Sequence, residues 1–353
     1  MPSPRPLHPT DRDLTTRERE ILRDSIVLYI LSGEPVSSRS LAKQGRHGLS
    51  AASIRNTLAD LEDLGYLTHP HTSAGRTPTR SGYHLFIEGL MDRPGLPAEE
   101  RRYIDDRLRG DADEMMNEAT HLLTELSQQV GIVVTPALAD TVLRTIDFVP
   151  ISGTRVLSVI VSASGFADHK VIDTERPLPR EELVRISNYL NENFAGKTLS
   201  EIRGRLLTLM AEERAQVDRL LSTTLDVARR GFDTPAGPEV LVDGTSNVLA
   251  QPELGDVQRV RRLIETFADK ARLVSMLNQV VDGKGVRVVI GEESALTSEL
   301  DFSLVATRYG VGDRPLGTLA IFGPSRMEYQ RIVPLVHYLG ETLSRALTAV
   351  EES

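Results

Sequence analysis

Residues 15–65 carry a closely spaced series of helix start and stop signals, which limits the folds open to this chain more than any other sequence feature. Thr15 and Glu18 have the spacing of a capping box, in which each side chain bonds a backbone N–H that the first helical turn leaves free. Apolar residues then recur along one helical face. Gly33 and Pro35 end this pattern, so we predict an amphipathic helix that starts after Thr15 and ends at Gly33.

Two further helices are predicted in the same region. The second is short, starts at Ser37 or Ser38, ends at about Gln44, and is followed by a turn bounded by glycines. Ser50 caps a third helix, whose apolar positions are spaced by four, three and three residues, and Gly65 ends it. A long helix, a short helix, a turn and a capped helix form the outline of a helix-turn-helix.

The segment after the third helix predicts a β-hairpin. A short strand starts at Tyr66 and leads into a polar loop with Gly and Pro, and a second short strand can return near Pro78. Ser81–Met91 is predicted to form one more helix. Residues 14–93 therefore predict a winged helix-turn-helix domain, preceded by a disordered tail over residues 1–13.

The distribution of charge differs sharply between the two parts of the chain. The whole sequence has 41 Lys+Arg and 50 Asp+Glu, a net charge of −9. Residues 1–93 contain 12 basic and 11 acidic residues (net +1), whereas residues 94–353 contain 29 and 39 (net −10). Because phosphates respond to local potential, the total charge does not exclude nucleic acid as a partner of the N-terminal part.

The predicted third helix has two chemically different ends. Its first turns present Ser53, Arg55 and Asn56, while three acidic residues occupy its last turns. A helix that enters the major groove by its N-terminal end suits this arrangement, since Arg pairs with guanine and Asn with adenine. The helix alone is equally compatible with a solvated surface. The predicted hairpin from Tyr66 to Pro78, which we call the wing, contains Arg76 and favours DNA binding.

Ten stretches of the chain carry a family resemblance. They are Leu14–Leu22, Gly33–Arg39, Leu49–Asn56 and His69–Pro78 in the N-terminal part, and Val240–Gly244, Asn247–Leu249, Ile290–Glu293, Tyr309–Gly312, Leu316–Leu319 and Gly323–Tyr329 in the C-terminal part. In these stretches the chain resembles the HrcA heat-inducible transcription repressor family. The loop His-Pro-His-Thr-Ser-Ala-Gly-Arg-Thr-Pro is far more specific than a generic helix-turn-helix, and the resemblance covers nearly the whole chain from Leu14.

The resemblance implies a homodimer that binds an inverted-repeat operator upstream of groE/dnaK-type chaperone operons and blocks their transcription, with assistance from the GroE chaperonin. The expected partners are therefore double-stranded DNA, a second copy of the chain and GroE. The DNA-binding positions are Ser37, Ser38, Arg39, Ser50, Ala52, Ser53, Arg55, Asn56, His71, Thr72, Ser73, Gly75 and Arg76. Among them, we expect Arg39, Thr72 and Arg76 to contact phosphates, and the third helix to read base edges.

The rest of the chain predicts an α+β multidomain fold. After a Pro/Gly linker at residues 93–97, a helical segment begins near Ala98 with near-heptad apolar spacing. This spacing suits packing on a helix of a second subunit or of the same chain, and Gly110 weakens an extended coiled coil. From Leu143 onward, short β-rich runs alternate with helices without regular βαβ order.

The expected strands and helices of this part follow from their periodicity. They are strands at Leu143–Val149, Val156–Ser162, Lys170–Thr174, Glu239–Val242, Val286–Ile290, Phe302–Tyr309 and Gly317–Phe322, and helices at Arg180–Phe194, Leu199–Gly231, Val257–Val281 and Met327–Ala349. The resemblance implies a GAF-like domain of residues 98–174 and 238–350, interrupted by an inserted dimerisation domain of residues 175–237.

Several candidate chemical sites do not meet the requirements of their chemistry. The chain has no cysteine, which excludes disulfides, thiol nucleophiles and Cys-ligated metals. His69 and His71 lack a third ligand at suitable spacing. A strand, not a helix, follows Gly310–Gly312, which excludes a dinucleotide site, and Gly283–Gly285 predicts a tight turn. The adjacent Glu292-Glu293 pair faces opposite sides of a strand. We therefore expect no enzyme, no metal and no cofactor.

The sequence also predicts where the protein works. No apolar run approaches the roughly 18–20 residues that a membrane helix needs. The first 13 residues lack the apolar segment of a signal peptide. We expect a cytoplasmic, nucleoid-associated protein.

Two alternatives to a DNA-binding repressor of chaperone genes remain open at this point. The first is a transcriptional regulator in which a GAF-like domain senses a small molecule. The second is a protein-interaction module whose winged helix does not touch DNA. Arg55, Asn56 and Arg76 favour DNA binding over the interaction module, and no convergent charged pocket can be read from the sequence to support the sensor.

Overall fold

The computed structural model describes residues 14–46, 48–70, 75–92, 94–213, 219–232, 237–249, 257–281, 285–291 and 302–352. The N-terminal unit contains α1 (Thr16–Ser32), α2 (Ser38–Lys43), α3 (Ala51–Asp63), the strands β1 (Leu67–Thr68) and β2 (Thr77–Pro78), and α4 (Arg80–Leu85), which continues as a π-helical turn over Phe86–Leu90. The two strands pair antiparallel. The predicted order of three helices, a hairpin and a fourth helix is confirmed.

The predicted helix caps are confirmed at atomic detail. Thr15 and Glu18 form the capping box of α1, and Gly33 ends this helix with a left-handed backbone at φ 69°. Ser37 caps α2 and Ser50 caps α3, each accepting a bond from the backbone N–H three residues ahead. These polar side chains define the helix ends because they satisfy backbone donors that have no partner inside the helix.

The first three helices of the N-terminal unit share one apolar core. The fully buried side chains are Ile21, Leu22 and Ile26 of α1, Leu41 of α2, and Ile54, Leu58 and Leu61 of α3. Each such burial stabilises the fold by about 1.5–3 kcal/mol. The face of α3 that carries these residues is therefore fixed inward, and the opposite face is turned to solvent.

The rest of the chain mixes helices with antiparallel strands, as the α+β class predicts. The helices are α5 (Ala98–Arg107), α6 (Ala112–Ser127), α7 (Arg180–Phe194), α8 (Leu199–Glu213), α9 (Arg219–Phe232), α10 (Thr245–Leu249), α11 (Val257–Ala268), α12 (Lys270–Val280) and α13 (Tyr329–Glu352). The strands are β3 (Val130–Val134), β4 (Leu143–Ser152), β5 (Arg155–Ser162), β6 (Ala167–Asp173), β7 (Val240–Asp243), β8 (Arg287–Ile290), β9 (Phe302–Val311) and β10 (Arg314–Pro324).

The helical segment after the linker is two helices, not one. Gly110 adopts φ 111°, which interrupts the helix between α5 and α6. Asp111 then caps α6 in a capping box with Glu114. The apolar face of α6 packs on β3 and α13 of the same chain. Of the two alternatives for the near-heptad pattern, intramolecular packing is confirmed.

We call the part of the chain from α5 to α13 the body. A five-stranded antiparallel sheet with the order β7-β3-β10-β9-β8 forms its centre. Alternate residues of its strands face two different cores. Val133, Val305 and Leu319 pack toward α6 and α13, in a core continuous with that of the N-terminal unit. Ile132 and Leu304 pack toward α12 on the other face. The sheet is therefore buried on both sides by helices of its own chain.

A second sheet has the order β4-β5-β6 and a separate core shared with α7, α8 and α9. Asn191 on α7 bridges to the edge strand β4, because its amide accepts from Ile146 N at 2.8 Å and donates to Ile146 O at 3.0 Å. The structure groups β4, β5 and β6 with α7, α8 and α9, whereas the expected insertion covered residues 175–237 and so left these strands out. The expected boundary after residue 174 therefore divides elements that share one core. Sequence periodicity identifies a strand but does not show which sheet the strand joins.

The N-terminal unit contacts the body through an aromatic pair. The rings of Tyr83 in α4 and Tyr329 in α13 meet edge to face, with centroids 5.9 Å apart. The hydroxyl of Tyr329 also donates to Ser303 Oγ at 2.8 Å in β9. In the part of the chain that the structure describes, no helix is both long enough and apolar enough to cross a membrane.

Candidate nucleic-acid interface

The α2–turn–α3 segment is built on serine caps. Ser37 Oγ accepts from Ser40 N at 3.1 Å, and Ser50 Oγ accepts from Ser53 N at 3.2 Å. Two of the predicted DNA-binding residues are thus structural caps that position the two helices. Of the others on α2, Ser38 is buried and Arg39 is exposed.

The N-terminal half of α3 presents the predicted reading face to solvent. Ala52, Arg55 and Asn56 are exposed and Ser53 is half-buried. The structure brings these four side chains together on one side of α3, opposite its buried apolar face. Contact between these residues and base edges remains a prediction.

The wing is attached to the start of α2 by backbone hydrogen bonds. Val36 N donates to Arg76 O at 2.8 Å, and Arg76 N donates to Val36 O at 2.8 Å. Gly75 makes this close approach possible: a Cβ at this position would lie 2.5 Å from Pro35 O and 2.6 Å from Val36 C. Only glycine fits without moving the backbone.

Glu62, near the C-terminal end of α3, binds two residues of the wing. Its carboxylate pairs with His69 Nδ1 and with Arg76 Nε, the latter at 3.2 Å. Burial opposes ionisation of Glu62, but the hydrogen bond from His69 and the charge of Arg76 outweigh it and lower the pKa of the carboxyl. The Arg76 side chain is 13% exposed. The structure thus places Arg76 in an intradomain ion pair, and its phosphate contact remains a prediction.

The lowered pKa of Glu62 predicts a pH dependence of stability. Since the folded state favours the ionised form, the Glu62 contribution is complete above the ordinary pKa of 4.5 and is lost as the pH falls through the lowered value. We expect this contribution to be below about 1 kcal/mol, because the group is partly exposed. Thermal midpoints of the wild type and Glu62→Gln should therefore differ at neutral pH and converge in acid.

The control for this measurement is Asp63→Asn, which removes the same charge from an exposed neighbour on α3. Its thermal midpoint is measured over the same pH range, to separate the loss of a negative charge on α3 from the loss of the pairs with His69 and Arg76. A Glu62→Gln offset that stays constant with pH would contradict the assigned role of Glu62.

Arg17 is a basic residue at this surface that sequence reasoning missed. Its Nη2 donates to Ser53 O at 3.2 Å and so connects the first turn of α1 with the first turn of α3. The side chain is exposed, so a second positive group stands beside the reading face. The two residues lie 36 positions apart, and no spacing pattern in the sequence links them.

Some predicted positions lie outside the described residues. These are residues 1–13, His71, Thr72 and Ser73 of the wing loop, Gly283, Lys284, and the Glu292-Glu293 pair. Gly310–Gly312 lies where β9 turns into β10, so the expectation that a strand follows this segment is confirmed. Among the described side chains, no group of three or more His, Asp or Glu could hold a metal ion.

The chain is similar to known proteins over almost its full length. Residues 113–333 match the family model described as HrcA protein C terminal domain. The heat-inducible transcription repressor HrcA of Xylella fastidiosa (strain M23) is 37% identical over 335 residues, covering 95% of this chain and 96% of that protein. The protein of the same name from Geobacter sulfurreducens is 36% identical over 340 residues, covering 95% and 98%.

A solved structure shares the fold. The crystal structure of a hypothetical protein aligns with a TM-score of 0.67 at 24% identity, covering 96% of this chain and 100% of that one. The resemblance found in the sequence motifs is confirmed by the family model and by full-length relatives. The chain belongs to the HrcA family of heat-inducible transcription repressors.

Proposed function

We propose that this chain is a homodimeric repressor of heat-shock operon transcription, which binds an inverted-repeat operator upstream of groE/dnaK-type operons and blocks transcription. The observation that carries this proposal is the exposed face of Ala52, Arg55 and Asn56 on a helix whose opposite face is fixed in the core. A helix presented in this way, with its N-terminal half free of acids, suits entry into a major groove.

The N-terminal unit acts in this proposal as a winged helix-turn-helix reader. Ser53, Arg55 and Asn56 read base edges, while Arg39 and Thr72 contact phosphates and fix the register. Arg76 reaches a phosphate only with the part of its guanidinium that Glu62 leaves free. The exposed Arg17 beside Ser53 adds a further phosphate-binding group.

The body supplies dimerisation in this proposal. We assign the five-stranded sheet with α6 and α13 to a GAF-like domain, and we extend the inserted dimerisation domain to include β4, β5 and β6. The face of this small sheet away from α7 carries one row of apolar residues aligned across its three strands, Val149, Leu157 and Val171, of which Val149 and Val171 are exposed. Exposed apolar residues that lie together in this way are typical of a surface that binds a partner.

The dimer proposal predicts that a charge on this face separates the subunits. Val171→Asp would place an unpaired carboxylate in the interface, and we expect the dimer to weaken at least about 100-fold. Light scattering of the full chain across a concentration series measures this change. Val184→Asp is the matched control, since Val184 is similarly exposed (47%, against 40% for Val171) but lies on α7, away from the open sheet face. Dimers of equal stability in both variants would place the interface elsewhere.

Regulation by heat is tested by genome-wide footprinting of the protein before and after heat shock. In this proposal the GroE chaperonin keeps the repressor competent, and heat draws the chaperonin away. We expect occupancy at inverted repeats upstream of chaperone operons, and a fall of this occupancy on heating. Occupancy elsewhere only, or occupancy that does not change with temperature, would contradict the proposal.

A further inference from the structure

The segment that leads from β10 into α13 contacts two different helices of the N-terminal unit. Tyr329, at the start of α13, meets the ring of Tyr83 in α4, with centroids 5.9 Å apart. Three residues earlier, the guanidinium group of Arg326 lies against the C-terminal end of α1. Arg326 belongs to the Gly323–Tyr329 stretch of the family resemblance and has no part in the proposed DNA reading or dimerisation.

The guanidinium group of Arg326 stacks on the residue that ends α1. A Cβ built at Gly33 would lie 3.6 Å from Cζ and Nη1 of Arg326 and 3.8 Å from its Nε. Near-equal distances to three atoms of a planar group place Gly33 over the flat face of that group. The last turn of α1 contains no basic residue of its own, so Arg326 supplies the positive charge that stabilises the C-terminal end of a helix.

The backbone that carries Arg326 is held on both sides. Its two neighbours in the chain, Ser325 and Met327, are buried. The hydroxyl of Tyr329 donates to Ser325 O at 2.9 Å, and Met327 N donates to Pro324 O at 3.1 Å. Since this turn is fixed in the body, Arg326 connects α1 to a rigid support.

The contact of Arg326 with α1 differs in kind from the apolar contacts at the same junction. The Tyr83–Tyr329 pair and the shared core also join the N-terminal unit to the body. Apolar attraction is non-directional, whereas the contact of Arg326 requires the end of α1 to point at one place on the body. Because α1 and α3 share one core, the direction of α1 also sets the direction of the exposed face of α3.

We propose that Arg326 is a positioning residue for operator binding. It fixes the angle between the N-terminal unit and the body, and through this angle it sets the half-site spacing that the dimer accepts. The inference rests on the proposed dimer and its inverted-repeat operator. Two modules joined in a fixed geometry gain most affinity when their sites match that geometry, and they lose this gain when the sites are displaced.

Gel-shift titrations with three DNA fragments test the proposal. The fragments are the operator recovered by footprinting, the same operator with two base pairs inserted at its centre, and one arm alone. The insertion turns one arm about the duplex axis by roughly a fifth of a turn, so we expect it to weaken wild-type binding at least about 100-fold. Arg326→Ala should bind the operator about tenfold more weakly, lose about tenfold or less on the insertion, and bind the single arm like the wild type.

Two further variants are the controls. Arg326→Lys keeps a cation at the end of α1 but loses the stacked plane, so its spacing preference should lie between those of the wild type and Arg326→Ala. Arg185→Ala removes the same charge from an exposed position on α7 and should behave like the wild type.

The three fragments distinguish failure of this inference from failure of the proposed function. A wild-type spacing preference that Arg326→Ala retains would overturn the role of Arg326 and leave the dimeric repressor in place. Loss of single-arm binding in Arg326→Ala would also overturn it, because the residue would then be needed for the fold of the N-terminal unit and not for its orientation. Equal wild-type affinity for the operator and the single arm would contradict the dimeric operator complex and this inference with it.

Discussion

Gly75→Ala is expected to weaken operator binding by more than about tenfold and to destabilise the N-terminal unit. The new Cβ would lie 2.5 Å from Pro35 O and 2.6 Å from Val36 C, and both atoms belong to backbone that cannot rotate away. The wing would have to separate from the start of α2 and break the two 2.8 Å hydrogen bonds between Val36 and Arg76. Loss of two buried backbone bonds costs about 1–3 kcal/mol. The wing would then no longer be held beside the reading helix.

Two measurements check this prediction: thermal unfolding of the full chain and a gel-shift titration with a chaperone-operon promoter. We expect a lower midpoint and an affinity reduced by more than about tenfold. Gly89→Ala is the matched control, because a Cβ there meets no atom within 4 Å and Gly89 does not require a left-handed backbone. Gly89→Ala should be neutral or slightly stabilising. A wild-type midpoint for Gly75→Ala would show that the wing is not packed on α2.

Arg55→Ala should weaken operator binding and relax base preference while leaving the fold intact. The side chain is exposed on α3 and takes no part in the core. One bidentate base contact supplies about 1–3 kcal/mol of discrimination, which corresponds to a loss of roughly 5- to 150-fold in affinity. The loss should be confined to specific DNA, since a base contact contributes little to binding of a random sequence.

Gel-shift titrations with operator and with scrambled DNA of equal length measure this difference. Arg185→Ala on α7 removes the same charge from an exposed position in the body and should leave both affinities unchanged. Equal weakening of Arg55→Ala on operator and scrambled DNA would reassign Arg55 to a phosphate. Unchanged affinity on both would remove Arg55 from the interface.

Local signals in the sequence predicted most of the N-terminal unit correctly. Thr15, Ser37 and Ser50 start their helices and Gly33 ends one, because each effect needs only groups within a few residues. The strand β3 was not predicted, because its sequence carries no clear local signal of a strand. Its Val-Gly-Ile-Val-Val sequence is buried on both faces and lacks the alternation that identifies a half-buried strand.

In the candidate interface, too, the local features were predicted and the long-range contacts were not. The exposure of Arg55 and Asn56 follows from helical periodicity and was predicted. The pairing of Glu62 with His69 and Arg76, and the contact of Arg17 with Ser53, join residues that are distant along the chain. No periodic pattern contains that information, so the structural role of Arg76 became visible only when its neighbours in space were known.

The sequence by itself determined the family, the helix caps, the exposed face of α3 and the α+β class, because motifs, capping and periodicity are local properties. The tertiary structure decided which strands share a sheet, that α6 packs within its own chain, and where Gly75 meets Val36. It also paired Arg331 of α13 with Glu100 of α5, which lie 231 positions apart in the sequence. Such contacts depend on complementary surfaces that pack together in space. Residues at many different separations along the chain can form such surfaces, so no sequence spacing identifies them.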